Sequence, residues 1–508
     1  MQPMKAFNKD FCELTKNTNA EMIICTTSAD TISFSYAEVM RIVKRIGYYY
    51  EQIGLKEGDT IATILPNSVE AICCFLAAAY YGINYAPLPC TVSERECHNW
   101  NDLTKPSFYI VKKGIVEFDI DIEGVQIETD SEFEWLSDDC REELAPVKSA
   151  KVFLLTSGTT GDPKAMQIDV NKLWNAGRAF AAEYGILDSG MRFWNYLPMS
   201  YLGGLFNLAI IPVCCNGSFV ISEPFSGKTM LNFWNYVKQY QITALWFVPS
   251  IVRGLLKIHS MIGNKYDELF KSIRIAFLGT APIDLKTKEN FESAFGIRLY
   301  ENFALSETTF LTGEFENNIR YREECSVGSF LKYVEYRLDA IDGVDDVFEI
   351  CVKTPFLFDG YLDKAGNLVL EIDDSGFFNT KDLGHFNDDG QLVLSGRSRD
   401  IIKKSGLFVS LTEVETVVVG VDYVDEATAV PITHEFYGEA YILFVIFKNQ
   451  KDVEAQKEKL RGWMMTNFVP YKLPERIVAC SDFPRTASGK IKKRDLLSNY
   501  ERANNVSV

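Results

Sequence analysis

Residues 154–164 read LLTSGTTGDPK and join a short apolar strand to a loop of hydroxyl residues and glycines. Glycines let backbone N–H groups approach a phosphate closely, and hydroxyl groups donate further hydrogen bonds. A lysine adds a compact positive charge. The pattern indicates a phosphate-binding loop, although an exposed loop rich in serine, threonine and glycine has the same composition. The candidate phosphate ligands are Thr156, Ser157, Gly158, Thr159, Thr160, Gly161 and Lys164.

This loop differs from the P-loop of conventional NTPases, which has the pattern G-x-x-x-x-G-K-[ST]. The chain does contain Gly227-Lys228-Thr229, but Ser222 stands where that pattern requires a glycine. We therefore do not expect a P-loop NTPase or a kinase.

Size and charge limit the class of protein. With 508 residues the chain is too long for one ordinary domain. Its net charge of −17 disfavours nucleic acids and anionic membrane surfaces as partners. The longest apolar run, residues 71–81, falls short of the roughly 18–20 residues that span a bilayer, so it predicts a buried helix.

The cysteines and histidines do not form a metal or disulfide pattern. None of the 12 cysteines belongs to a CxxC pair, and the two adjacent pairs, at residues 73–74 and 214–215, lie in apolar runs. We expect buried free thiols and a reducing, cytoplasmic compartment. The N-terminus is polar and does not resemble a signal peptide. No metal-ligand spacing occurs among His98, His259, His385 and His434.

Helical and strand patterns alternate over the first 300 residues. This alternation predicts an α/β fold of layered subdomains with largely parallel, buried strands. The expected helices are residues 35–53, 68–81 and 174–184, and the expected strands are residues 60–65, 152–155, 244–248, 275–278 and 298–300.

The pattern changes twice in the second half. Residues 321–397 predict a β-rich subdomain with strands at 335–338, 347–352, 368–371 and 392–394 and a tight turn at 388–390. We place a hinge at residues 398–400. Residues 401–508 predict a small α+β domain with helices at 411–419 and 452–467 and a basic tail, so that residues 1–397 form the large domain.

The motif T-S-G-T-T-G-x-P-K resembles the phosphate loop of the adenylate-forming superfamily, which includes acyl-CoA synthetases, carrier-protein adenylation domains and firefly luciferases. Four further signatures follow in the family's order, so the resemblance spans residues 35–497. It implies a large AMP-binding domain and a mobile C-terminal lid, with ATP and Mg²⁺ as cofactors.

The second signature, FALSE at residues 303–307, resembles Y-G-x-T-E. The resemblance implies that Phe303 packs on adenine, that Ser306 contacts the α-phosphate, and that Glu307 holds the magnesium ion. Ala304 replaces the usual glycine, and Phe303 lacks the tyrosine hydroxyl.

The third signature, FNTKD at residues 378–382, resembles W/Y-x-T-G-D. It implies that Asp382 accepts hydrogen bonds from the ribose hydroxyls. Lys381 stands where the family usually has glycine, which predicts a different loop backbone. The fourth, GRSRD at residues 396–400, implies that Arg397 reaches ribose or phosphate and that Arg399 occupies the hinge position.

The fifth signature, PRTASGKI at residues 484–491, resembles P-x-x-x-x-G-K-[IV]. The resemblance implies that Lys490 enters the active site from the small domain during adenylation. Taken without the other signatures, this segment is an ordinary solvated basic tail.

These roles imply a two-step reaction. A carboxylate attacks the α-phosphorus of ATP, and pyrophosphate leaves. Lys490, Thr156 with its loop, and magnesium held by Glu307 would stabilise the charge that develops. The small domain would then rotate, and a thiol would take the acyl group. Coenzyme A is the favoured thiol, and a carrier-protein phosphopantetheine is the alternative.

The acyl pocket is expected in residues 196–205, 243–250 and 278–281, with Gly279 also assigned to the nucleotide. Amino-acid-activating relatives carry an aspartate where this chain has Leu202, and a buried ammonium beside leucine would be costly. We therefore expect an acid without an α-amino group, such as a fatty, aryl or short branched acid. The expected acid-binding residues are Tyr201, Leu202, Gly203 and Val248, with Gly203 and Gly204 leaving space beside the pocket.

Two other functions share the same motifs. A luciferase-like oxygenase has the same first step, and an inactive homologue would bind nucleotide without reacting. The retained Glu307, Asp382, Arg397 and Lys490 argue against the inactive homologue, whereas Lys381 and Ala304 keep it open.

Overall fold

The computed structural model describes most of the chain. The described residues are 4–16, 19–26, 31–118, 120, 126–129, 133, 136–140, 149–156, 164–185, 187–222, 225–262, 266–280, 283–323, 325–341, 344–363, 365–404, 407–449, 451–485 and 491–504.

The helices are distributed over the whole of the described chain. They are α1 (Phe7–Thr15), α2 (Tyr36–Gln52), α3 (Val69–Tyr81), α4 (Glu94–Thr104), α5 (Val170–Tyr184), α6 (Ile211–Cys214), α7 (Gly227–Leu231), α8 (Phe233–Gln239), α9 (Pro249–Ile262), α10 (Asp267–Phe270), α11 (Leu285–Phe295), α12 (Leu411–Val419), α13 (Val453–Asn467) and α14 (Lys493–Asn504).

The strands are mostly short. They are β1 (Glu21–Thr26), β2 (Thr31–Ser35), β3 (Thr60–Ile64), β4 (Asn84–Leu88), β5 (Phe108–Lys112), β6 (Gln126–Thr129), β7 (Lys151–Thr156), β8 (Lys164–Asp169), β9 (Arg192–Asn195), β10 (Ser218–Ile221), β11 (Ala244–Phe247), β12 (Ile275–Leu278), β13 (Leu299–Glu301), β14 (Ala304–Leu305), β15 (Thr309–Phe310), β16 (Thr312–Gly313), β17 (Ser329–Phe330), β18 (Glu335–Ile341), β19 (Val344–Lys353), β20 (Gly360–Leu362), β21 (Leu368–Val369), β22 (Phe378–Phe386), β23 (Leu392–Arg397), β24 (Ile401–Lys404), β25 (Leu407–Ser410), β26 (Val424–His434), β27 (Gly438–Phe447) and β28 (Arg476–Ala479).

Two large sheets form the first part of the molecule. One has the strand order β13-β12-β11-β9-β10-β1-β2 and is parallel except for β2. The other has the order β21-β20-β8-β7-β4-β3-β5-β6 and is parallel from β7 to β6. The predicted α/β fold with largely parallel strands is confirmed.

Helices α2 and α3 illustrate how the local sequence sets these layers. Ser35 and Glu38 form a reciprocal capping box at the start of α2, which satisfies N–H groups that have no partner within the helix. The side chain of Ser68 caps the start of α3. Every residue of α3 is buried, and all but Glu70 belong to the main hydrophobic core, so this apolar segment is a core helix, as predicted.

The β-rich segment divides between two sheets. Strands β18, β19, β22 and β23 form an antiparallel four-stranded sheet, and the predicted turn at residues 388–390 joins its last two strands. Strands β20 and β21 instead join the eight-stranded sheet, where β20 pairs with β8. The expectation of one separate β-rich unit was therefore too simple, because β20 covers an otherwise open edge of the earlier sheet.

The C-terminal part forms a separate sheet of β24 to β28 with its own hydrophobic core. The helices predicted at 411–419 and 452–467 correspond to α12 and α13. The predicted basic tail is wrong in one respect, because it continues as helix α14. Leu496 of α14 is buried against the sheet, which explains why this charged segment is ordered as a helix.

A bilayer-spanning helix is not found in the described parts of the chain, since none is both long and apolar enough.

Candidate functional site

The carboxyl ends of three neighbouring parallel strands place two of the predicted pocket segments, residues 243–250 and 278–281, in one row with the residue before Phe303. Phe247 of β11 pairs with Leu278 of β12, and Leu278 pairs with Glu301 of β13. The next residue along each strand is therefore Val248, Gly279 and Asn302. Crevices outside the carboxyl ends of parallel strands are the usual ligand sites of α/β sheets.

The predicted phosphate loop connects two antiparallel strands. β7 and β8 pair along their length, and the last pair is Thr156 with Lys164. The loop therefore leaves and re-enters the same sheet, whereas a P-loop leads from a strand into a helix. Ser157, Gly158, Thr159, Thr160 and Gly161 lie outside the described residues, as does the side chain of Thr156.

The second signature forms a small hairpin. β14 and β15 pair across Ser306 and Glu307, and Thr309 has a φ of +58°. A β-branched residue in the left-handed region is strained, and such strain concentrates at functional sites. The backbone N–H of Phe358 donates to the Glu307 carbonyl at 2.7 Å, which ties the hairpin to the chain before β20.

Phe303 lies at the base of this hairpin. It is buried in the main core, and the N–H of Leu311 donates to its carbonyl oxygen at 2.9 Å. The backbone of Phe303 is therefore fixed by the hairpin, and its side chain belongs to the main core.

Tyr361 links the second signature to the phosphate loop, and the sequence analysis missed it. Its hydroxyl donates a hydrogen bond to Glu307 Oε1, and the ammonium of Lys164 lies 5.1 Å from the centre of its ring. Burial, together with the nearby Glu307 carboxylate, raises the pKa of Tyr361 well above its ordinary value, so the phenol stays protonated and remains a donor. The contact exists because β20 pairs with β8, directly after the loop.

Glu307 has the chemistry of a magnesium ligand. A carboxylate oxygen is a preferred ligand of this hard cation, which is commonly completed by phosphate oxygens and water. The described residues contain no cluster of three or more His, Cys, Asp or Glu side chains that could hold a metal without a substrate. A single carboxylate fits a magnesium ion whose remaining ligands are phosphate oxygens and water.

The third and fourth signatures meet across two strands. Asp382 of β22 pairs with Arg397 of β23, and Arg397 Nε donates to Asp382 Oδ1 at 2.8 Å. Lys381 has a φ of +60°. The lysine therefore adopts the left-handed backbone that glycine favours, so the expectation of a different loop was wrong. The cost of this strain is of order 1 kcal/mol, and the Lys381 N–H donates to Asn379 Oδ1 at 2.8 Å.

The segment after β9 contains three of the four predicted acid-binding residues. Tyr201 is half-buried, and burial raises the pKa of its hydroxyl. Leu202 precedes a π-helix over Gly203–Ile210. A Cβ atom on Gly204 would lie 2.3 Å from the carbonyl oxygen of Leu197, so Gly204 permits close backbone packing. The expectation that it leaves space beside the pocket was therefore wrong.

Gly279 has a similar role in the row of strand ends. A Cβ atom there would lie 2.9 Å from Asn302 Oδ1, so the side chain of Asn302 lies directly against the bare Cα of Gly279. The sequence analysis did not select Asn302. A polar residue immediately after a buried strand and before Phe303 was the signal that could have identified it.

A buried cluster of charged side chains includes Glu301, the last residue of β13 in this row. Lys288 is 2% exposed, and its ammonium contacts Glu301 at 2.8 Å and Glu314 at 3.0 Å. Arg322 adds a second cation beside Glu314 at 3.3 Å. Arg322 also contacts the partly exposed Glu292 at 3.0 Å, so each buried carboxylate of the cluster faces a cation, which is the condition for keeping charges in a protein interior.

The chain leaves β23 through a 3₁₀ turn over Ser398–Asp400 and enters β24. The side chain of Arg399 is outside the description, and so is Lys490. The start of β26 and the turn before it contact the large domain through Lys257–Asp425 at 2.8 Å and Lys286–Asp422 at 3.7 Å. The two ion pairs join α9 and α11 to the small domain.

Comparison with known proteins indicates the family of this chain. A family model described as AMP-binding enzyme matches residues 13–362, and a model of the AMP-binding enzyme C-terminal domain matches residues 413–490. An oxalate–CoA ligase of Arabidopsis thaliana is 25% identical over 472 residues, which cover 88% of this chain and 89% of the relative. A crotonobetaine/carnitine–CoA ligase of Escherichia coli is 25% identical over 505 residues, which cover 93% of this chain and 95% of the relative.

Solved structures agree on the fold. ATP-bound MatB from Rhodopseudomonas palustris has a TM-score of 0.83 at 21% identity, with 98% of this chain and 100% of that chain covered. O-succinylbenzoate coenzyme A synthetase from Bacillus subtilis, in complex with ATP and magnesium, has a TM-score of 0.81 at 20% identity, with 97% and 99% covered. The predicted resemblance is confirmed, and the chain belongs to the AMP-binding enzyme family.

Proposed function

We propose that the chain is an ATP-dependent ligase that activates a carboxylic acid as its acyl-adenylate and transfers the acyl group to coenzyme A. The observation that supports it most directly is the meeting of Glu307 and Lys164 at Tyr361. This contact brings the candidate magnesium ligand beside the strand that leaves the phosphate loop. The names of the two relatives, both CoA ligases, support the same proposal.

In the first step, a carboxylate oxygen forms a bond to the α-phosphorus of ATP, and the bond from that phosphorus to the leaving pyrophosphate breaks. The acid is ionised at neutral pH, so no general base is required. Lys490, Thr156 and the rest of the phosphate loop are proposed to stabilise the charge on the phosphate oxygens. Magnesium held by Glu307 supplies further positive charge when it is bound.

Nucleotide binding is assigned to residues of three signatures. Phe303 is proposed to pack on adenine and Ser306 to contact the α-phosphate. Asp382 is proposed to accept hydrogen bonds from the ribose, with Arg397 holding its carboxylate in place. Gly279 is proposed to form the adjacent floor of the site.

In the second step, the thiol sulfur forms a bond to the acyl carbon, and AMP leaves as that carbon's bond to the phosphate oxygen breaks. We propose that the small domain turns about Arg399 between the steps. The 3₁₀ turn that contains it is short and supports this assignment, since hinges need only a few residues. A carrier-protein thiol is the alternative acceptor, and an inactive nucleotide-binding homologue is the alternative to catalysis.

The acid is proposed to lack an α-amino group. Leu202 offers no negative charge to an ammonium, and Tyr201, Gly203 and Val248 are proposed to line the same pocket. All 12 cysteines are free, which supports the proposed reducing, cytoplasmic location.

The direct test is pyrophosphate exchange with ATP across a panel of carboxylic acids, followed by addition of coenzyme A or a carrier protein to the acids that react. Exchange with some acid and thioester formation with coenzyme A are expected. Absence of exchange with every acid would reject the ligase in favour of the inactive homologue.

Lys490→Ala separates the two steps. We expect adenylation to fall by roughly 100-fold or more, the scale of losing a transition-state donor, while thioester formation from supplied acyl-adenylate is retained. Lys492→Ala, which alters an exposed lysine of the same tail, is the matched control. Equal loss of both steps in Lys490→Ala would contradict the assignment.

A further inference from the structure

Asn302 carries a buried amide donor for which the described residues offer no acceptor. The residue is 6% exposed, and its Nδ2 has no hydrogen-bond partner. Buried side-chain amides are normally satisfied, because an unsatisfied donor loses its hydrogen bonds to water without replacement. Asn302 therefore needs an explanation that the fold alone does not give.

The position of Asn302 indicates what could satisfy it. It follows β13 in the row with Val248 and Gly279, and its side chain lies against Gly279. The backbone N–H of Asn302 is already bound to the Leu278 carbonyl at 3.0 Å, which fixes the residue in this row. The free amide is thus held at the strand ends that the proposed function assigns to ATP and the acid.

Two other buried donors that have no partner among the described residues have a different setting. The indole N–H groups of Trp234 and Trp246 also lack acceptors, but both side chains contact several aromatic rings. Aromatic faces accept weak hydrogen bonds. Asn302 lies against Gly279 at the strand ends, where a bound ligand can supply the acceptor that the described residues do not.

We propose that Asn302 selects acids that carry an uncharged oxygen acceptor near the reacting carboxylate, an inference that rests on the proposed function. An ether, carbonyl or hydroxyl oxygen matches a neutral amide donor. A second carboxylate matches it poorly, because a buried anion needs a cation, and the neighbouring Lys288 is already balanced by Glu301 and Glu314.

The aromatic side chains packed beside this row of strand ends determine which acids are suitable for a binding test. Trp246 and Phe277 lie one residue before the paired strand ends, and their rings pack at 4.6 Å. Phe310 packs on Trp246 at 5.2 Å and on Phe206 of the π-helix at 5.6 Å. All four rings are buried, so short acids are the suitable probes.

The test compares non-reactive acyl-sulfamoyl adenosines in pairs that differ only by oxygen in place of a methylene group. Methoxyacetyl is compared with butanoyl, 3-methoxypropanoyl with pentanoyl, and malonyl provides a charged probe. Titration calorimetry measures each dissociation constant. Because these probes bind without reacting, the result does not depend on whether the chain proves to be an active ligase.

We expect the ether member of at least one pair to bind at least 10-fold more tightly than its methylene partner and than the malonyl probe. Asn302→Leu should abolish this preference, since leucine keeps the volume but removes the donor. Gly279→Ala should weaken it, because the new methyl group displaces the amide. Asn84→Ala is the matched control, since both amide atoms of Asn84 have partners elsewhere in the fold.

Two results would overturn the proposal. One is the absence of any ether preference in the unaltered chain, or a preference that survives in Asn302→Leu. The other is an Asn302→Leu variant that binds AMP alone more weakly than the unaltered chain does but keeps the same preference for the ether probes. That result would assign the amide to adenine. Failure of pyrophosphate exchange, by contrast, would reject the ligase and leave this binding comparison valid.

Discussion

Asp382 and Arg397 face each other on adjacent antiparallel strands, and the guanidinium Nε lies 2.8 Å from the carboxylate Oδ1. The two residues belong to separate signatures, 15 positions apart in the chain. Asp382 is buried while Arg397 is partly exposed, so the arginine can both hold the carboxylate and reach toward a ligand.

Replacing Asp382 with asparagine should weaken ATP binding. The change removes the charge that strengthens hydrogen bonds to ribose hydroxyls, and such bonds contribute about 1.5–3 kcal/mol. We expect the KM for ATP in pyrophosphate exchange to rise by roughly 10-fold or more, with little change in the thermal midpoint. Asp388→Asn, in an exposed turn, is the control. An unchanged KM would show that Asp382 does not contact the nucleotide.

Tyr361→Phe should raise the magnesium concentration that gives half-maximal activity. The phenol holds one oxygen of Glu307, and loss of a group that orients a metal ligand typically weakens metal affinity by about 10–100-fold. Direct titration of magnesium into the ATP complex provides a readout besides activity. Tyr336→Phe, at an exposed position, should behave as the unaltered chain does. Equal magnesium dependence in both variants would remove Tyr361 from the site.

Lys288→Met should strongly destabilise the large domain. Glu301 and Glu314 would lose their shared cation inside the core, and breaking a buried ion pair in this way costs about 3–5 kcal/mol. Urea unfolding followed by tryptophan fluorescence measures the change. Lys271→Ala is the control, because this lysine is 70% exposed and its ion pair is open to solvent. Similar decreases in the free energy of unfolding in both variants would show that the cluster does not stabilise the large domain.

The same cluster should make stability depend on pH. Burial raises the pKa of Glu301 to about 7, against the attraction of Lys288. The ordinary value is 4.5, so between these pH values the folded chain keeps a proton that the unfolded chain has released. The free energy of unfolding should therefore fall as the pH rises through about 7.

Glu301→Gln tests this dependence, because glutamine keeps the shape but has no proton to lose. Its unfolding midpoint should vary less between pH 5 and pH 8 than that of the unaltered chain. Glu289→Gln, on the exposed face of α11, is the control. Parallel pH profiles for all three proteins would show that another group is responsible.

Periodicity and motif order were sufficient to predict much of the fold. The helices α2, α3 and α12 were predicted within a few residues, because their apolar spacing and serine caps are local signals. The pairing of Asp382 with Arg397 follows from a hairpin whose turn was also visible in the sequence. Local signals therefore identified these elements, whereas the roles of the candidate site residues come from the family resemblance and stay predictions.

Contacts between distant segments could not be predicted in this way. Tyr361 reaches Glu307 across 54 positions only because β20 pairs with β8. Lys381 keeps a left-handed backbone that its residue type disfavours, since the neighbouring strands hold it there. Asn302 became notable only when its burial and lack of an acceptor were known.

The pairing of β20 with β8 also affects how the chain can be made. β8 ends at Asp169, but the strand that covers its outer edge is not available until Leu362 has been synthesised. On the ribosome, β8 would remain an open edge while almost 200 more residues emerge, and such edges recruit other strands. Nascent chains stopped between these strands should therefore depend on chaperones, and release from this dependence should coincide with the appearance of Tyr361.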